Sequence, residues 1–126
     1  MSAFEIVHQG DYLHIVLLGV EREGLEEVFG LISDYVHSPE AKPAFALLLD
    51  CSHPNVAFTP YFRQKAEALH QALAHQQGRF AFVFATSLGQ NLARLFFRLA
   101  RPTYQVGIFT QPDKALAWLK RPASSR

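Results

Sequence analysis

The chain contains a single cysteine, Cys51, so no disulfide can form within it, and its cysteine use fits a reducing compartment. No apolar run approaches the ~18 residues needed to cross a bilayer. The first residues, Met1-Ser2-Ala3-Phe4-Glu5-Ile6, lack the basic segment and apolar core of a secretory leader. The expectation is therefore a cytoplasmic chain. There is no Gly-x-Gly-x-x-Gly and no phosphate-binding P-loop, so a dinucleotide or nucleotide site has no support. No two of the histidines His8, His14, His37, His53, His70 and His75 stand at i, i+4, and neither a cysteine pair nor a His-Glu-x-x-His is present. No metal and no other cofactor is expected.

Each half of the chain is also poor in charge of one sign. Residues 1–50 hold nine acidic residues against only Arg22 and Lys42, a net of −7. Residues 51–126 hold ten basic residues against only Glu67 and Asp113, a net of +8. Such asymmetry points to an anionic partner for the basic part. The overall isoelectric point of about 8.0 is modest, and nucleic acid is not expected.

At 126 residues the chain is expected to form one domain over 1–121, with a flexible polar tail at 122–126. Phe4–Gln9 and Tyr12–Val20 are β-prone runs separated by Gly10-Asp11, which reads as a hairpin. Such a turn would put His8 and His14 on opposite faces. Leu25, Val28, Phe29, Ile32, Tyr35 and Val36 follow helical spacing. Residues 44–49 form a short apolar strand ending in Asp50. Thr59-Pro60 places a capping residue before a proline at the first helical position, opening a helix to about Gln77 that Gly78 stops. Residues 79–86 form a strand with Phe80, Phe82 and Phe84 on one face and Ala81, Val83 and Ala85 on the other. A basic helix over 88–100 ends before Pro102. A last strand covers 104–110, and Thr110 with Asp113 reads as a capping box for a final helix. The order β-β-α-β-α-β-α-β-α predicts an α/β fold: a single, mostly parallel five-stranded sheet opening with an antiparallel hairpin. Both faces of the 79–85 strand are apolar. Helices on one side would leave the other face to be covered by a terminal helix, a second copy forming a homodimer, or an apolar ligand, with ordinary core packing the plainest answer.

Leu47-Leu48-Leu49-Asp50-Cys51-Ser52 resembles the central strand of a known family, which ends in an Asp-apolar-Ser step. Arg79–Ala85 resembles the strand that follows it. Phe109-Thr110-Gln111-Pro112-Asp113-Lys114-Ala115-Leu116-Ala117-Trp118-Leu119 resembles the same family's last strand and closing helix. With the element order, these resemble the STAS domain of bacterial anti-sigma-factor antagonists, the SpoIIAA-like fold. The resemblance spans nearly the whole chain and implies a non-enzymatic regulatory or scaffolding module that contacts a protein partner. Phosphorylatable members carry Asp-Ser-Ser-Gly where this chain has Phe58-Thr59-Pro60-Tyr61. Pro60 fills the phosphoacceptor place, so the usual kinase-controlled switch is not expected. The match is nearer to divergent STAS-like proteins lacking that serine, some of which have been likened to small lipid-binding domains.

Two places are candidates for binding. In the basic helix, Leu88, Leu92, Leu95, Phe96 and Leu99 are expected to be buried, which leaves Arg94, Phe97, Arg98 and Arg101 as an outer stripe. Basic residues around an apolar anchor suit a protein partner or, in the alternative reading, an anionic lipid or other amphipathic anion at a membrane surface. The bland reading packs Phe97 under a loop and leaves the arginines solvated or paired with the acidic half. The second place is the loop after Asp50, with Ser52, His53 and Thr59, at the edge where open α/β sheets bind ligands. Cys51 beside His53 invites a nucleophile, but neighbours on an extended chain point apart and nothing in the sequence activates the thiol. No catalytic residue is assigned.

Overall fold

The computed structural model describes residues 3–121. The expected tail at 122–126 lies outside them. The elements are β1 (Phe4–Gln9), β2 (Leu13–Leu17), α1 (Arg22–Val36), a short 3-10 turn (Pro39–Ala41), β3 (Phe45–Asp50), α2 (Pro60–Ala72), β4 (Gly78–Val83), α3 (Ser87–Ala100), β5 (Gln105–Phe109) and α4 (Pro112–Leu119). The strands form one sheet in the order β1-β2-β3-β4-β5. β1 and β2 are antiparallel, and every later pair is parallel. The α/β architecture and its sequential order are those the sequence predicts.

The alternation of side chains along the strands sorts the core into two layers. Leu13, Ile15 and Leu17 of β2, Phe45, Leu47 and Leu49 of β3, and Phe80 and Phe82 of β4 share one face, with Phe84 just beyond. Against it pack Leu25, Val28, Phe29 and Ile32 of α1, Phe62, Ala66 and Leu69 of α2, and Ala93 and Phe96 of α3. Leu48, Ala81 and Val83 face the other way, and Ala115 and Leu119 of α4 cover them. The second apolar face is therefore closed by the terminal helix. Arg79 fastens that helix: its guanidinium donates to the carbonyls of Trp118 (2.9 Å) and Arg121 (2.8 Å).

Four local readings need correction. The hairpin loop has three residues, because Gln9 pairs with Leu13, and His8 lies directly opposite His14 on one face. A register shift between Ile6 and His8 absorbs the offset. α2 stops at Ala72, and residues 73–77 turn the chain into β4. Gly78 begins that strand rather than capping the helix; a Cβ there would strike the carbonyl and ring of Phe45. The last helix has Gln111, not Thr110, at its N-cap, because Pro112 fixes the first helical position. The fourth concerns the orientation of α3, which forms the candidate site.

Candidate functional site

α3 packs on a sheet face crowded with phenylalanines, and that decides its rotation. Phe80, Phe82 and Phe84 form a stacked row, with ring centroids 4.2 and 6.2 Å apart. A helix lying over such bulk needs small residues beneath it. Gly89 supplies one: a Cβ there would lie 3.0 Å from Cδ1 of Phe84. Ala93 and Phe96 are buried, and Ala100 is half-buried. Thr86 caps the helix, its hydroxyl accepting from the Gly89 amide at 3.1 Å.

The leucines expected to be buried consequently turn outward. Leu88 is 69% exposed, Leu95 46% and Leu99 76%, while Leu92 is half-buried. Only Phe96 of the expected core stripe is core. Phe97, assigned to the outer face, is half-buried instead, its ring 5.2 Å from that of Phe82 and 4.9 Å from that of Phe96. Leucines at steps of 4, 3 and 4 predict a core stripe because such spacing usually marks one. The signal for the true orientation was the competing set Gly89, Ala93, Phe96 and Ala100, whose small members suit close approach to an aromatic sheet.

The arginines are where the sequence puts them. Arg94, Arg98 and Arg101 are exposed, and none makes an ion pair among the described residues. They are solvated rather than matched to the acidic half. Arg101 closes α3 in the left-handed conformation, with φ 52°, its amide donating to the Phe97 carbonyl at 3.0 Å.

Beside the leucines runs α2. A groove of about 570 Å³ lies between the helices, walled by Arg63 and Glu67 on α2 and by Leu92, Leu95 and Leu99 on α3. Phe58 and Leu92 also line a second hollow of about 470 Å³ at the C-terminal edge of β3 and β4, with Ser52, His53 and Leu88. The two share a boundary and together follow the length of α3.

The loop after β3 meets the second hollow, but its polar groups are engaged in holding the loop. The Asp50 carboxylate accepts from the Ser52 amide (2.9 Å) and the Ser52 hydroxyl (2.6 Å). His53 Nδ1 accepts from the Asn55 amide at 3.1 Å. The Thr59 hydroxyl accepts from the Phe62 amide at 3.1 Å and so caps α2 as expected. Cys51 is 3% exposed, and its thiol points to the Leu49 carbonyl at 3.9 Å. Burial, reinforced by the Asp50 charge, pushes that thiol well above its ordinary range, the opposite of what a nucleophile needs. No hydrogen bond joins Cys51 to His53.

Away from this groove, on β2, His14 has a buried Nε2 with no hydrogen-bond partner among the described residues. Burial lowers its pKa, the nearby Asp50 charge opposes that, and His8 adds to it. His8 itself contacts Asp11 at 3.1 Å and stacks on Tyr12. Among the described residues no group of three His, Cys, Asp or Glu could hold a metal ion, and no helix is long and apolar enough to cross a membrane.

No family model matches the chain, and no curated protein matches it. A solved structure does: an uncharacterised protein of the DUF3478 family with a SpoIIAA-like fold, from Shewanella loihica PV-4. It is 19% identical over 93% of this chain and 92% of that one, with a TM-score of 0.66. The antiparallel opening pair, the sequential parallel strands and this likeness together give the chain a SpoIIAA-like fold.

Proposed function

We propose that this protein is a non-enzymatic STAS-like module that works by docking a protein partner on the outward face of α3. One observation carries the reading: a row of exposed leucines on an ordered helix, bordered by arginines that have no counter-ion among the described residues. Contiguous exposed apolar surface rimmed by charge marks an interaction site more often than a solvated face. Catalysis has no comparable support, since the one thiol is buried and the loop hydroxyls cap and brace the backbone.

The test is a photo-crosslinking phenylalanine analogue in place of Leu95, used in the cells that make the protein. Discrete protein adducts are expected, and Leu99→Glu should abolish them. The same probe at Lys114, exposed on α4, should not give them. Adducts to lipid alone would replace this reading with the membrane one. Protein adducts indifferent to Leu99→Glu, or no adducts at all, would remove its basis.

A further inference from the structure

Resting on that docking reading, we infer that the occupant of the α2–α3 groove is a partner's amphipathic α-helix carrying acidic residues along its flanks. The shape of the groove selects a helix. Its walls are two α-helices, whose backbone amides and carbonyls are already bonded within each helix, so it offers no open edge to which an extended peptide could add as a strand. A segment entering an apolar groove must satisfy its own backbone, and a helix does so. Leu88, Leu92, Leu95 and Leu99 recur at steps of 4, 3 and 4. This is the spacing with which one helix presents a seam to another. α3 has 14 residues, roughly 21 Å of axis, enough for about four turns of a partner.

The charges select the flanks. Arg98, three residues after Leu95, is exposed beside the leucines, Arg94 lies one turn before it on the exposed face, Arg101 stands at the end of the helix, and Arg63 stands on the α2 wall. Glu67 is the single acid on that wall. A helix with acidic flanks meets Arg63 on the α2 side and Arg98 beside the leucines on the α3 side, whereas one with basic flanks meets their repulsion.

Two other occupants fit less well. The leucine row is most open at its ends and more sheltered at Leu92 and Leu95, where α2 rises beside it. A concave seat receives a cylinder better than it lies on a bilayer, which an amphipathic helix meets with a convex face. A second copy docking α3 antiparallel on α3 by twofold symmetry would bring the two arginine rows together.

The experiment uses the whole chain and synthetic helices of about 18 residues with leucines at steps of 3 and 4. One peptide has glutamates on both flanks, one has lysines, and one is the glutamate peptide with a central proline. Binding is read by fluorescence anisotropy. The glutamate peptide should bind, on the order of tenfold tighter than the lysine peptide and more weakly as salt rises. The proline should remove most of that binding. Leu95→Ala with Leu99→Ala should weaken it on the order of tenfold. Arg94→Glu with Arg98→Glu should reverse the preference toward the lysine peptide, which a merely unfolded variant would not do.

Equal binding of the proline peptide would overturn the helical occupant and leave protein docking at α3 standing. Equal binding of the lysine peptide would overturn the acidic flanks. Failure of all peptides alongside binding to phosphatidylglycerol vesicles would overturn both this inference and the docking reading. Concentration-dependent self-association in sedimentation, lost in the double leucine variant, would make a second copy the occupant. Binding of nothing overturns the inference.

Discussion

Truncating the aromatic and leucine side chains of α3 one at a time tests which face of that helix is core. Phe96 is 8% exposed, its ring 6.1 Å from that of Phe58 and 4.9 Å from that of Phe97. Phe96→Ala removes a ring from a packed site, which costs ~3–5 kcal/mol. A chain of this size loses roughly 4 °C of melting temperature per kcal/mol, so a fall of about 12–20 °C is expected. Leu99 keeps only a quarter of its surface out of water. Full burial of a leucine contributes ~1.5–3 kcal/mol, so a quarter contributes well under ~1 kcal/mol. Alanine's better helix propensity returns about 0.2 kcal/mol of that. Leu99→Ala should move the midpoint by less than about 3 °C. Phe97→Ala should fall between the two, since its ring is half-buried. Thermal unfolding followed by far-ultraviolet circular dichroism reads all three. If Leu99→Ala costs as much as Phe96→Ala, the leucine row is core, α3 is turned the other way, and the docking surface does not exist.

Thr59→Ala should destabilise by ~1 kcal/mol through loss of the bond to the Phe62 amide, read as a shift in the urea midpoint, with peptide binding unchanged because the hydroxyl serves the fold. Gly78→Ala should be far more damaging, by more than ~2 kcal/mol, since the added carbon meets the backbone and ring of Phe45 in a paired strand; a near-neutral effect in the same titration would refute that packing. Stability should also fall at alkaline pH. Cys51 and Tyr35 both have pKa values raised by burial, Tyr35 to about 12. Both stay neutral in the fold while the unfolded chain ionises near 9.0 and 10.0, so their contribution is full below those values and is lost as pH rises beyond them. Replacing Cys51 with Ala should flatten the first part of that decline in denaturant titrations between pH 8 and 10.

The strand-helix alternation was legible because it rests on local features: a turn between two β-prone runs, Thr59-Pro60 at a helix start, and a short apolar run after Pro43. What failed was decided by distant partners. α3 offers two apolar stripes, and only the phenylalanines of β4 choose between them. The pairing of His8 with His14 depends on a third loop residue, Tyr12, whose sequence looks like strand. The arginines of the site were readable because charge on a helix face stays in solvent whichever stripe is buried nearest. The leucines were missed because spacing reports periodicity, not which side the sheet is on.

One helix, α4, covers Leu48, Ala81 and Val83 on the second face of the sheet. Strands β2 to β5 pair without any contribution from α4, yet Leu48, Ala81 and Val83 stay uncovered until that helix docks. A chain whose sheet has formed but whose α4 has not docked is at a stage with one open apolar side, the kind of surface on which chains aggregate. A message cut short before Pro112 would leave the product in that stage permanently, without Ala115 and Leu119 and without the carbonyls that Arg79 grips. The integrity of the sheet's second face thus hangs on the eight residues of α4 and the grip of one arginine.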